Sequence, residues 1–143
     1  MPAAVVDSNV LIEYKDRSSD TRHERAEGIV YAIDGGDLPT GRITNYVLLE
    51  SLNWIHERRR HDIAVDLKSR LADSAGFEVV HCAQKDFRRA AELFETNDRL
   101  SFGDATIAAY MRRTGVEYLY SFDDDFDGIE GITRLETPDD PFR

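Results

Sequence analysis

The stretch Ala4–Ile12, AVVDSNVLI, decides how this chain folds. A short apolar run ends on Asp7, so Asp7 should sit at the carboxyl end of a strand, and a helix follows from near Asn9 (VLIEYKD). A second apolar run, in Tyr118–Gly128 (YLYSFDDDFDG), ends the same way on Asp123. Strands that feed directly into helices build parallel sheets with right-handed crossovers and helices on both faces. In open sheets of that kind, ligand sites lie at the carboxyl ends of the strands. The sequence therefore predicts an α/β fold with acidic residues delivered to its functional edge.

Outward from these anchors the alternation holds. A strand covers about Ala3–Asp7, and a polar break at Arg17–Asp20 precedes a second helix to about Ile33, stopped by Gly35 and Gly36. GRIT (41–44) reads as a short strand, followed by a long helix from about Asn45 to Arg60 and another over about Ile63–Ser74, stopped by Gly76. FEVVHC (77–82) is strand-like, rich in β-branched residues. Phe87, Ala90, Ala91 and Phe94 then mark an apolar helical stripe at i, i+3, i+4 and i+7. A helix runs from Gly103 to about Thr114 and ends at Gly115, VEYLYSF (116–122) is a strand, and GITRLE (131–136) reads as a last one. Thr137–Arg143, with two prolines, is expected to fray.

A chain of 143 residues suits one domain and is short for two. No apolar stretch approaches the roughly 18 residues of a membrane span, and MPAAVVDSN lacks a basic leader region. Cys82 is the single cysteine, so no intrachain disulfide forms, and a reducing cytoplasm is the expected setting. The net charge of −10 argues against a polyanionic partner unless local basic patches do the binding. Fifteen Arg against three Lys in so acidic a chain is the composition expected of a high-salt cytoplasm, where screening lengths shrink to about 3 Å at 1 M. Arg58-Arg59-Arg60 is a local run suited to steering phosphates, although a solvated helix end reads the same, and no motif supports a groove at Arg22 or Arg42.

Four carboxylates lie where four separate elements would bring them to one place: Asp7, Glu50 (TNYVLLESLNW, 44–54), Asp104 (LSFGDATIAAYM, 100–111) and Asp123 with its neighbours Asp124 and Asp125. Each has a plain structural role available. Asp7 suits a helix N-cap, and Asp104, three residues after Ser101, suits a variant of the capping box. Asp104 also shares a stripe with Ile107, Ala108 and Met111. Glu50 falls one turn from Tyr46, Val47 and Trp54, and an acid on an apolar stripe is costly unless an arginine or a metal pairs with it. The DDDFD run resembles the start of a calcium loop, but position twelve is Arg134 and a strand precedes it, which excludes an EF-hand. Four acids gathered together raise one another's pKa values, and a hard divalent cation removes that penalty while creating a hydrolytic centre. Metal-dependent hydrolysis is the chemistry the set points to.

VVDSNVLI, the Thr44–Glu50 segment, LSFGDATIAA and LYSFDDDFDGI, in this order and spacing, resemble the PIN-domain family, and within it the VapC-type toxins of toxin–antitoxin pairs, over about residues 3–135. The resemblance implies a three-layer fold with a parallel, about five-stranded sheet flanked by helices, occupying residues 1–136. It implies an endoribonuclease dependent on Mg²⁺ or Mn²⁺, an RNA substrate and a cognate antitoxin protein. By position, Asp7, Glu50, Asp104 and Asp123 match the family's acidic residues, with Asp125 an alternative to Asp123. Asn9 matches the polar residue supporting the first aspartate, and Thr44 the hydroxyl six residues before the glutamate. The acidic surface and scarce Lys depart from many RNA-binding members.

A PIN-type RNA-processing nuclease without an antitoxin is the alternative within the same family. Rival classes fit less well. A haloacid-dehalogenase-like phosphatase needs a second Asp where this chain has Asn9, and a downstream Lys where Lys85 precedes a helix. A phosphoacceptor receiver domain needs paired acids after the first strand and a late Lys, and a PIN-like fold that only binds would not need all four acids. Finally, the helices around Tyr46–Ile55 and Ile63–Leu71 carry more apolar residues than one core-facing stripe requires, Leu48, Leu49, Leu52 and Ile55 among them. Apolarity on more than one side implies burial on more than one side, so a homodimer is expected.

Overall fold

The computed structural model describes residues 2–143. Strand β1 (Ala3–Val6) is followed by α1 (Ser8–Lys15) and α2 (Asp20–Asp34), β2 (Thr40–Thr44) by α3 (Asn45–Arg58) and α4 (His61–Asp73), and β3 (Phe77–Val80) by α5 (Gln84–Thr96) and α6 (Phe102–Thr114). β4 (Tyr118–Tyr120), a 3₁₀ turn at Asp124–Phe126 and β5 (Thr133–Leu135) complete the chain. The strands form one five-stranded sheet in the order β3-β2-β1-β4-β5, and each neighbouring pair is parallel. The expected parallel α/β fold is the observed one.

That order fixes where a site can form. From β1 the chain builds outward through β2 and β3, then crosses back to add β4 and β5 on the other side. β1 and β4 are therefore neighbours whose following loops diverge, the crevice in which open α/β sheets bind ligands. β1 is the sheet's interior: Ala4, Val5 and Val6 have no exposed surface, and Leu119 and Tyr120 of β4 are equally enclosed.

Local chemistry sets the ends of the elements. Side chains of Asp7, Ser19, Thr44 and Ser101 accept backbone N–H groups that would otherwise be orphaned at the starts of α1, α2, α3 and α6. Gly115 ends α6 in the left-handed region at φ 74°. At Gly76 a Cβ would lie 1.9 Å from the carbonyl oxygen of Ile33, so only glycine lets β3 begin against the end of α2. Helix α6 is the central helix: every residue from Ala105 to Met111 is buried. It approaches α5 through small side chains, Ala90 meeting Ala105, Ala108 and Ala109 in one cluster.

Two expectations meet a different picture. The buried line of α5 is Asp86, Ala90 and Leu93 rather than the Phe87–Phe94 stripe, and Phe87 and Phe94 are about half exposed, at 48% and 46%. Asp86 turns inward because Arg113 of α6 and the backbone N–H of Ala83 both donate to it, at 2.7 Å each. The phenylalanines instead flank Phe102, with ring centroids at 5.3 and 5.5 Å. Residues 137–143, expected to fray, carry specific contacts: the Tyr120 hydroxyl donates to the Asp139 carbonyl at 2.7 Å, and Phe142 meets Tyr118 edge-on at 5.1 Å.

Candidate active site

Because β1 stops at Val6 and Asp7 caps α1, the first carboxylate is held at the carboxyl edge of the sheet by backbone geometry alone. Its Oδ1 accepts the Ser8 N–H at 2.7 Å, and its Oδ2 accepts the Ser121 hydroxyl at 2.7 Å and the Asn9 amide at 3.3 Å. Burial outweighs these bonds and, with the charges of Glu50 and Asp123, pushes the Asp7 pKa up to about 6. Asn9 is the brace between the two central strands. Its Nδ2 reaches the Ser121 hydroxyl at 3.3 Å, and its Oδ1 accepts the Phe122 N–H at 3.1 Å. Ser121 also accepts the Asp123 N–H at 3.0 Å, which aims the loop after β4.

Glu50 differs from its sequence reading. The buried stripe of α3 is Val47, Ser51 and Ile55, and Glu50 is exposed. Each helical step turns the side chain by about 100°, so a residue adjacent to Ser51 leaves the core face and opens onto solvent. No arginine pairs with it among the described residues. Its Oε1 accepts the Ser8 hydroxyl at 2.8 Å, and a Cβ on Gly103 would lie 3.3 Å from its Oε2, so the start of α6 passes close by.

Asp104 stands in the first turn of α6, where its N–H donates to the Ser101 hydroxyl at 3.1 Å. The capping turn and a place on the cavity wall thus coexist in one residue. Burial first, then the charges of Asp7 and Asp123, push its pKa up to about 7. Asp123 caps the 3₁₀ turn, its Oδ1 accepting the Asp125 N–H at 2.9 Å. Carboxylate oxygens of Asp104, Asp123 and Asp125 lie within 4.8 Å of one another. Oxygen ligands at 2.3–2.6 Å from a single ion are at most about 5 Å apart, so this trio can share a hard cation.

A cavity of about 420 Å³ joins these groups; Asp7, Glu50, Asp104, Asp123 and Asp125 all line it, with Ser8, Asn9, Trp54 and Arg99. The four expected acids are brought together. The tight trio includes Asp125 where Asp7 was expected, and both Asp7 oxygens accept hydrogen bonds from Ser8 and Ser121. Arg99 sits 3.2 Å from Asp125 and offsets part of its charge. Thr44 does not line the cavity; it is fully buried and caps α3 through the Val47 N–H at 3.2 Å, supporting Glu50 through the helix that carries it. Sequence reasoning missed Ser8, Ser121 and Arg99. The two serines lie inside the quoted DSN and YSFD motifs, as hydroxyls beside strand-end acids, whereas Arg99 carries no sequence signal.

The sequence model of the PIN domain matches residues 4–132. Among solved structures, VapC20 of Mycobacterium tuberculosis, described as a sarcin–ricin loop cleaving toxin, is 26% identical, with 89% of this chain and 95% of that chain covered and a TM-score of 0.75. A toxin–antitoxin complex from Klebsiella pneumoniae is 22% identical over 96% and 98% of the two chains, with a TM-score of 0.64. VapBC2 from Rickettsia felis, bound to a DNA fragment from its promoter, is 12% identical over 93% and 97%, with a TM-score of 0.69. The last two attest the fold alone. No curated protein matches by sequence.

Proposed function

This chain belongs to the PIN-domain family, and on that premise we propose that it is a metal-dependent endoribonuclease acting as the toxin of a VapBC-type toxin–antitoxin pair. The observation carrying this reading is the convergence of carboxylates from α1, α3, α6 and the β4 loop on one cavity, with Asp7 and Asp104 pushed up to about 6 and 7. Such a set is unfavourable by itself and favourable around a cation. Asp104, Asp123 and Asp125 would hold Mg²⁺ or Mn²⁺, with Asp7 and Glu50 bordering it. When bound, the ion supplies a water of lowered pKa and neutralises charge developing on the phosphoryl oxygens.

The chain's own residues do the rest. Ser8 and Ser121 lock Asp7, so its position does not relax when substrate enters. Glu50, solvent-open and steadied by the Ser8 hydroxyl, would accept a proton from the attacking water. A single-stranded loop is the fitting substrate, since it can bend a phosphodiester into a cavity. Among the described residues no lysine lines the cavity, which disfavours the phosphatase alternative. The similarity to VapC20 supports both the toxin assignment and an RNA target, and the antitoxin partner follows from the toxin assignment. A homodimer agrees with α3, where Leu49 is 57% exposed and Leu48 and Leu52 are only partly covered.

The test is cleavage of a loop-bearing RNA by the purified chain. Activity should vanish in EDTA, return with Mg²⁺ or Mn²⁺, and be lost in Asp104→Asn. Undiminished cleavage by Asp104→Asn would refute the site. Sedimentation should show a dimer that Leu52→Asp dissociates, and a monomer at micromolar concentration would refute the assembly.

A further inference from the structure

We infer that Trp54 and Arg58 form a platform at the mouth of the acidic cavity that stacks one base and binds one phosphate of a single-stranded RNA, beside the bond to be cut. The inference deepens the ribonuclease reading and rests on it. Trp54 lines the same cavity as Asp7, Glu50 and Asp104. It lies one helical turn beyond Glu50 on α3, about 6 Å along the axis. Its ring is half-buried and packed against the core, so it is held rigidly rather than waving in solvent. Every base offers a π-face, and stacking on a fixed aromatic ring binds single strands without demanding a sequence.

Arg58 supplies the second half. Its guanidinium lies over the Trp54 ring, 4.9 Å from the centroid. The arginines of the run 58–60 are not equivalent. Arg59 is paired with Asp16 at 2.9 Å and Arg60 with Asp62, whereas Arg58 has no carboxylate partner among the described residues. Arg99, on the cavity wall, is already paired with Asp125. In a chain of net charge −10, Arg58 is thus a cation stacked on the cavity-lining Trp54 with no carboxylate to neutralise it, and an incoming phosphate is the anion that fits it. A purely structural Arg58–Trp54 pair, stabilising the end of α3, would predict no effect on RNA.

The experiment uses the full chain with Mg²⁺ and short single-stranded RNA. Trp54 is the only tryptophan, so its fluorescence reports directly on its ring. RNA should quench it in the wild type, and an oligonucleotide with an abasic site at the flanking position should not. Trp54→Ala should raise KM by about 5- to 150-fold, more than it lowers kcat, while Trp54→Phe keeps most of the affinity. Arg58→Ala should reduce the slope of log KM against log salt by about 0.7, the share of one phosphate on a single strand. Unchanged fluorescence, or a Trp54→Phe enzyme with wild-type KM for abasic and intact RNA alike, overturns the platform. RNA that quenches Trp54 but is never cleaved supports the platform and refutes the ribonuclease reading. Cleavage without quenching does the reverse.

Discussion

Replacing Asp7 by Asn should silence the enzyme and yet make the metal-free protein more stable. Asp7 is buried, and its pKa rises from 3.8 to about 6 because burial disfavours the carboxylate, with Glu50 and Asp123 adding repulsion. A raised folded value means that the native chain holds a proton that the unfolded chain has released. Stability from this group is therefore complete below pH 3.8 and is lost as pH rises through about 6. The shift is roughly 2 units, and at about 1.4 kcal/mol per unit the ionised side chain costs about 3 kcal/mol at pH 7.5. Asparagine removes that cost but presents an amide where Oδ2 accepts the Ser121 hydroxyl at 2.7 Å, which gives back about 1–2 kcal/mol. The net gain is about 1–2 kcal/mol, or roughly 3–6 °C in Tm for a domain of this size. Urea unfolding in EDTA measures it at pH 7.5 and at pH 4.5, where the advantage should close to nearly nothing. Adding Mn²⁺ at pH 7.5 should reverse the order and put the wild type ahead. A variant less stable than wild type at pH 7.5 without metal, or a gap equal at both pH values, would refute the account of a strained carboxylate awaiting a cation.

Two further outcomes test the scaffold. Arg113→Met leaves the Asp86 carboxylate, 2% exposed, with only the Ala83 N–H; about 2–3 kcal/mol of stability should be lost, with recovery in the double variant with Asp86→Asn. Equal unfolding midpoints for Arg113→Met and wild type would show the pair to be idle. Gly76→Ala forces a Cβ to 1.9 Å from the Ile33 carbonyl and should lower stability by about 3 kcal/mol or more, whereas Gly36→Ala, with open space but φ +86°, should lose only about 1 kcal/mol. Similar Tm values for the two alanine variants would contradict the close packing of α2 on β3.

The alternation of apolar runs and helical stripes was sufficient for the parallel α/β fold, because strand–helix periodicity and turn residues are local properties that the chain carries in order. The same holds for Asp7, which directly follows β1, whereas Asp123 stands three residues past the end of β4, in the loop that leads from it. The chain alone also marked Asp104 as a capping-turn residue, and its N–H does donate to the Ser101 hydroxyl. Which face Glu50 shows could not be read this way, since Tyr46, Val47 and Trp54 all lie one turn from it, and only the packing of α3 chose Val47, Ser51 and Ile55 for the core. The same limit applies to α5, where the buried Asp86 and its part-exposed partner Arg113, distant in sequence, face inward while the two phenylalanines do not. Apolar periodicity records what a helix can bury, and a charge partner on another element decides what it does bury. Tertiary structure alone placed Asp125 in the tight acidic trio, neutralised Arg59 and Arg60 but not Arg58, and set Trp54 beside the acids. Those are relations between residues on separate elements, and through-space charge and contact do not exist until the sheet order β3-β2-β1-β4-β5 has brought the elements together.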